Sequence, residues 1–432
     1  MKRRHFTFAL AATTGAMLTA CSSDGGGGAG ADFALPADKE ISATLNYGIW
    51  DNVQQPAMEK IIAAFNEEYP NIEVSITTAP FDQYFTRLQT QAGSGEMPDV
   101  LWMNGPNVQL YASEGMLMPL AELFEAGAID PGNYPEAMNE LYTMEGEQYA
   151  VPKDFDTIGL WYNTRLFDEA GVEHPTEEWD WEAFRSAAKT ISDELGDQGV
   201  YGFAGGVANQ ALVYPAIMQA GGEIISEDGT TSGYDSPEAR QAFQMLADMV
   251  EDGTSPSVAT TTDTEYYEIF SSERAAMAWD GNWRVATYAD SPAMENIQVT
   301  HLPKGQRRAT PIHGIGNAVA ANTSEPEAAA AFLAFLGGEQ AAVIQAEMGT
   351  ANPAFSGSQD AYIASVPEFD LQVFIDAADE YAIQYPVSRN TAAWLNEESE
   401  YFPAIISGEM TVEEGTSALA DAMNAHLEAE QE

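Results

Sequence analysis

The chain of 432 residues contains a single cysteine, Cys21, so no disulfide forms within it and all thiol chemistry rests on one position. Positive charge is scarce: 17 Lys and Arg stand against 67 Asp and Glu, a formal net charge of −50 with His neutral. Such a surface repels nucleic-acid phosphates and anionic lipid headgroups, which excludes nucleic acid as a partner. Beyond the first twenty residues no run approaches about 18 consecutive apolar residues, so nothing downstream reads as a membrane-spanning helix. Catalytic signatures are missing too: there is no GxSxG, HExxH or GxxxxGK[ST], and the run from Gly314 fails GxGxxG because position 319 is Val. His174, His301, His313 and His426 are scattered without metal-ligand spacing, so neither a metal nor another cofactor is expected. With 67 carboxylates some pair always mimics the acid/base couple of a glycosidase, so no such pair carries weight.

The N-terminus supplies the first positive signal. Lys2, Arg3 and Arg4 precede an apolar, acid-free stretch from Phe6 to Ala20, the make-up of an export signal that is too short for a permanent membrane span. Leu18-Thr19-Ala20-Cys21 resembles the lipobox of exported lipoproteins, which implies cleavage after residue 20 and acylation of the Cys21 sulfur. Arg3-Arg4-His5-Phe6 also resembles a weak twin-arginine signal, so both export routes stay open. Residues 21–32 then read as the acylated cysteine and a glycine-rich tether with a reach on the order of 20 Å. Contact with a membrane is expected through this lipid anchor only. Loss of the three basic residues of the signal leaves fourteen cations against 67 acids, a balance suited to concentrated salt.

About 400 residues remain, enough for two domains with real cores, and a 45% hydrophobic content excludes disorder. "ATLNYGIW" (Ala43 to Trp50) reads as a buried strand, Met58, Ile61, Ile62, Phe65 and Tyr69 follow at helical spacing, and "NIEVSI" (Asn71 to Ile76) alternates as a strand. Trp181, Phe184, Ala188, Ile191 and Leu195 mark an amphipathic helix. Ser236-Pro237-Glu238, Ser324-Glu325-Pro326-Glu327 and Thr411-Val412-Glu413-Glu414 announce helix starts, the last two as capping boxes. Strands alternating with capped helices predict α/β layers around a mostly parallel sheet.

Segments along nearly the whole remaining chain carry a resemblance. "FNEEYPNIEV", "GSGEMPDVLW", "ASEGMLMPL", "LWYNTRLFDEAGVEHP", "DSPEARQAF", "FSSERAAMAWDGNW", "NPAF" and "MTVEEGTSALADAM" occur in the order found in family 1 extracellular solute-binding proteins, the carbohydrate receptors of ABC importers, of which maltose-binding protein is a distant relative. The resemblance implies a two-lobe, type II periplasmic-binding-protein-like α/β fold with a hinge and an interlobe ligand cleft. By analogy residues 33–154 and 302–366 form the first lobe, and 155–301 and 367–432 the second. It also implies a monomeric, non-enzymatic receptor, exported and held at the membrane, that gives a sugar or oligosaccharide to permease subunits.

A sugar presents C–H faces ringed by hydroxyls, so aromatic rings beside Asp, Asn or Arg at turns are the candidates. Trp50, Asp51 and Asn52 follow the first strand, and Asn104 is a further amide candidate; Asp154 and Asp156 flank Phe155 at the expected first crossover. Trp279, Asp280, Asn282 and Trp283 surround Gly281. The resemblance adds Asp156 and Asn209 at polar sugar-contact positions, with an amide at 209 where the relative has an acid, and Trp283 and Trp394, the latter after Arg389, as stacking rings. Two other readings stay open: the same fold holding a polyamine or quaternary amine by cation–π contact and charge, or a secreted carbohydrate-active enzyme, which the absent motifs disfavour. If self-repulsion of the acidic surface matters, the melting temperature of the lipid-free domain rises between low and molar salt; a flat salt response in a thermal-shift series would remove the salt-adaptation reading.

Overall fold

The computed structural model describes residues 33–431, the side chain of residue 82 apart, so Cys21, the export signal and the tether lie outside the described residues. The chain builds a five-stranded sheet in its first part: β1 (Ala43–Ile49), β2 (Ile72–Thr78) and β3 (Val100–Asn104). A two-residue hairpin, β4 (Thr143–Met144) and β5 (Glu147–Gln148), precedes β6 (Ala150–Pro152). A second sheet holds β7 (Ile158–Asn163), β8 (Met277–Gly281) and β9 (Ile297–His301). The chain continues through β10 (Thr310–Ile312) and β11 (Ile315–Val319) to β12 (Ala382–Gln384).

The first sheet has the order β2-β1-β3-β11-β6 and the second β8-β7-β9, while β10 pairs with β12. Helices cover both sheets, so the molecule has two α/β halves. The sheets are not mostly parallel, as the alternation predicted. β1 runs parallel to β2 and β3, but β11 is antiparallel to β3 and β6, and β7 is antiparallel to both its neighbours. The reason is connectivity: β11 re-enters the first sheet from the other half, so no crossover helix sets its direction.

Each sheet is anchored by a buried indole. The Trp102 Nε1 donates to the Tyr47 hydroxyl (2.6 Å), which donates to Asn317 Oδ1 (2.6 Å) across β1, β3 and β11. In the second sheet Trp161 is fully buried and its Nε1 donates to the Asp280 carbonyl (3.2 Å). Helix starts follow local chemistry. Asp180, Ser236 and Thr411 accept from the N–H of Ala183, Ala239 and Glu414, so the predicted starts at 236 and 411 form as caps. The expected box at Ser324 does not form: the helix Pro326–Leu336 has Glu325 at its N-cap without a side-chain bond. Thr323 instead donates to Asp99 Oδ1 and accepts from the Glu325 N–H, which fixes the turn one residue earlier.

On the return toward the first sheet, residues 304–309 keep contacts with elements around the second sheet. Lys304 exchanges backbone hydrogen bonds with Trp179 and Trp181 (3.0 Å each), and Ala309 accepts from Gln219 Nε2 (3.2 Å). Farther on, β10 pairs with β12, His313 bridges to Asp156, and Ile315 joins the first sheet beside Asn104. There the strands touch closely: a Cβ on Gly314 would lie 2.2 Å from the Asp154 carbonyl oxygen. Gly314→Ala is accordingly expected to lower stability by about 1–3 kcal/mol through overpacking, read as an earlier midpoint in urea unfolding.

Candidate functional site

Five residues, Lys153 to Thr157, carry the chain from β6 to β7, and their backbone is flanked on both sides. Phe155 N–H donates to the Asn352 carbonyl (3.1 Å), while Asp156 and His313 exchange N–H···O bonds (2.7 and 3.1 Å). The two crossings and the segment Asn352–Ala354 thus form a narrow three-strand strap between the sheets.

One end of the strap holds the turn after β1. Lys153, buried to 6% exposure, donates from Nζ to Gln54 Oε1 (2.6 Å), pairs with Asp154 (2.7 Å) and lies 4.8 Å over the Trp102 ring. Gln54 Nε2 donates to Asp51 Oδ2 (3.2 Å), and Asp51 Oδ1 accepts from the Val53 N–H (2.7 Å). The turn presents a half-buried Trp50, set edge-on against Tyr84 (5.1 Å) and Trp102 (5.2 Å). Phe81 lies 5.6 Å from that ring and is 56% exposed; Asn52 is exposed on the same turn.

The other end holds the turn after β8. Asn282 is buried; its Oδ1 accepts from the Thr157 N–H (3.0 Å) and its Nδ2 donates to the Phe155 carbonyl (3.0 Å). Trp283 follows, half-buried, its ring folded over Gly281 where a Cβ would sit 1.9 Å from a ring carbon. Arg284 stacks on Tyr267 (3.6 Å) and pairs with Asp280 (3.5 Å). The same five-residue strap therefore grips a Trp-bearing turn from each half.

Between the grips the two acids part company. Asp154 is spent: Oδ2 meets Lys153 and Oδ1 accepts from the Ile315 N–H (2.7 Å). The Asp156 carboxyl makes no hydrogen bond among the described residues, and its residue is only partly covered. Burial first, then the neighbouring Asp154, push it well above the usual carboxylate range, with Lys153 opposing. His313 accepts at Nε2 from the Gly105 N–H (3.3 Å), stacks at 4.5 Å on Tyr385, and is lowered to about 3 by burial, so it is neutral. Asn104, beside it, is buried and accepts from Asn107 Nδ2 (2.8 Å). Asn209 reaches the group from the second half, its Nδ2 3.5 Å from the Tyr385 hydroxyl.

The structure thus gathers Trp50, Asp51, Asn52, Asn104, Asp154, Asp156, Asn209, Asn282 and Trp283 around the strap. Four predicted residues stand apart. Trp279 is 1% exposed, its ring packed on Phe184 (5.4 Å) and Phe203 (5.9 Å). Asp280 is fully buried, accepting from the Tyr266 and Tyr288 hydroxyls (3.0 and 2.8 Å) and the Gly281 N–H (2.9 Å). Burial pushes it up to about 6, against the pull of Arg284 and those donors. Trp394 is fully buried with its Nε1 on Ser388 Oγ (2.9 Å), and Arg389 turns to the Glu430 carbonyl (2.9 Å) at the last helix. All five residues of β8 are buried, with the Trp279 ring packed on Phe184 and Phe203, and in the helix Thr391–Ile406 the buried stripe includes Trp394, so neither ring has a face to offer a ligand. Lys153, Gln54, Phe81, His313 and Tyr385 are not among the residues that sequence pattern singles out; the only signal is a lone Lys153 beside Asp154 in a cation-poor chain. A groove lined by Trp181, Arg185, Lys189 and Asp248 lies between two outer helices of the second half and shares no residue with the strap.

The family model of bacterial extracellular solute-binding proteins matches residues 50–343. Among characterised relatives, the arabinooligosaccharide-binding protein of Halalkalibacterium halodurans is 25% identical over 64% of this chain and 63% of its own. The galactooligosaccharide-binding protein of Bacillus subtilis is 24% identical over 70% and 68%. The chain spans 64% of the length of the Brucella relatives it matches. An ABC substrate-binding protein of Listeria monocytogenes, solved in complex with cycloalternan, superposes with a TM-score of 0.83 at 26% identity, over 90% of this chain and 99% of that one. The GacH receptor of Streptomyces glaucescens, solved unliganded and with acarbose, shares the fold at a TM-score of 0.80 and 22% identity over 90% and 99%.

Lys153→Met leaves Asp154 as an uncompensated buried charge and frees Gln54, so it is expected to cost about 3–5 kcal/mol in chemical unfolding. Adding Asp154→Asn to the same chain recovers part of that loss; a single variant as stable as the parent would remove the pair from the hinge.

Proposed function

Because the chain belongs to the bacterial extracellular solute-binding proteins, we propose that it captures a neutral saccharide between its two halves and presents it to the membrane permease of an ABC importer. The observation that carries this reading is the strap: one short segment grips the Trp50 turn through Gln54 and the Trp283 turn through Asn282, with the Asp156 carboxyl, which has no hydrogen-bond partner among the described residues, between them. Rings on opposite halves suit the two C–H faces of a sugar, and Asp156 and Asn209 suit its hydroxyls. Relatives named for arabino- and galacto-oligosaccharides and a neighbour holding cycloalternan support the ligand class.

The mechanism is closure. A ligand that touches both turns binds the closed arrangement better than the open one and shifts the population by that difference alone. The strap bends because it is narrow, while the sheets on either side stay rigid. Export and anchoring through Cys21 complete the reading, with the receptor monomeric beside its permease; the amine ligand gains no support from the relatives. In this role no bond is made or broken.

Trp283→Ala and Trp50→Ala are each expected to weaken saccharide binding roughly tenfold or more while leaving far-UV circular dichroism unchanged. Tryptophan fluorescence and calorimetry with neutral oligosaccharides measure this, and chromatography of the recovered sugar checks that it returns intact. Undiminished binding by both variants, or release of shorter sugars, would defeat the proposal.

A further inference from the structure

One buried carboxylate is not spent on the strap. Glu398, on the helix Thr391–Ile406, is 2% exposed and has no basic partner among the described residues. Its Oε1 accepts from the Tyr214 hydroxyl (2.7 Å) and from the Tyr234 hydroxyl, and its Oε2 accepts from Asn209 Nδ2 (3.0 Å). Tyr385, at the end of β12, closes the group with its ring 5.3 Å from that of Tyr214. On its own helix the adjacent Glu397 turns away to His426 (3.0 Å). The groups that face Glu398 are thus three tyrosine hydroxyls and one amide.

This arrangement dictates which end of the Asn209 amide looks outward. A carboxylate offers only acceptors, so the end toward Glu398 is the NH₂, and Oδ1 points the other way. There Oδ1 accepts from the Gln210 N–H (2.7 Å) and keeps a second lone pair. Asn209 also opens a five-residue π-helical turn, Asn209–Val213, a wide turn that recurs at functional sites. It is half-exposed and meets the hinge through Tyr385 and His313.

We propose that Glu398 is a positioning residue of the saccharide site: it holds the Asn209 amide so that an acceptor, Oδ1, meets the ligand, which must present a hydroxyl there. This rests on the reading of the interlobe cleft as a saccharide site. It makes capture dependent on pH. Burial pushes Glu398 up to about 7, with the Tyr234, Tyr214 and Asn209 donors drawing it back. Above that value the carboxylate fixes the amide. Below it the carboxyl gains an O–H donor of its own, one acceptor position is lost, and the amide is free to turn. Affinity therefore falls as pH drops through about 7. Stability moves the other way: a carboxyl whose folded value is raised binds its proton more tightly when folded, so this group favours folding more as pH falls from about 7 toward the ordinary carboxylate range.

The test is calorimetric titration of the parent, Glu398→Gln and Tyr234→Phe with maltotetraose, cycloalternan, and arabino- and galacto-oligosaccharides between pH 5.5 and 8.5. The parent is expected to bind its best sugar about fivefold more weakly at the acid end, the worth of one ordinary hydrogen bond. Glu398→Gln gives a flat profile at or below the parent's acid-end affinity. Tyr234→Phe keeps the ring, removes one donor from the carboxylate, and moves the midpoint upward; it carries the test alone if Glu398→Gln does not fold. A sugar-binding parent with a flat profile, or a Glu398→Gln protein that keeps the parent's slope, overturns this inference and leaves the saccharide reading standing. A folded parent that binds none of the sugars at any pH overturns the saccharide reading itself.

Discussion

Everything depends on how a buried backbone strap is satisfied. Where a chain passes from one sheet to another it leaves both ladders, and each N–H and C=O it carries inward must find another partner. Here the partners come from far away in sequence: Asn282 for Thr157 and Phe155, Asn352 for Phe155, His313 for Asp156. Satisfying those groups is what draws the turn after β8 to the same place as the turn after β1. The candidate site is therefore a by-product of hinge chemistry, and its two halves share one support.

The electrostatics of that place differ from those of the surface. The chain carries a net charge of −50, yet of the two acids inside the strap Asp154 is paired with Lys153 and Asp156 is pushed toward neutrality by burial, as Asp280 and Glu398 are farther off. His313 is neutral for the same reason. A cleft of this kind offers hydrogen bonds and ring faces with little net field, which suits an uncharged polyol better than an ion. The surplus charge stays on the outer surface, where water and salt screen it.

Much of the fold is legible in the amino-acid sequence. Strand and helix periodicity locates β1, β2 and the helix Trp181–Leu195, because alternation and 3.6-residue spacing are properties of the local chain. The caps at Ser236 and Thr411 are legible for the same reason, whereas Ser324 fails because Thr323 has a distant partner, Asp99, to bond. Sheet direction is not legible, since β11 arrives from the other half and nothing in its own five residues records that. Among the candidate rings, Trp50 and Trp283 lie half-buried on the turns held by the strap, whereas Trp279 and Trp394 belong to the core. An indole beside a polar residue looks alike in sequence whether it faces a cleft or a neighbouring helix.

The sequence alone determined the inventory: an export signal with one cysteine, an acid-rich composition, α/β layers with length enough for two domains, and no catalytic signature, because each follows from composition, period or short motif, while the two-lobe arrangement came from the family resemblance. Only the tertiary structure decided which carboxylates are spent and which are free, which tryptophans show a face, and which way the Asn209 amide points. Those outcomes are fixed by contacts between residues far apart in the chain, such as Asn209 with Glu398 at a separation of 189 and His313 with Gly105 at 208. No local pattern encodes them, since the free energy that selects them exists only once both halves have closed on the strap.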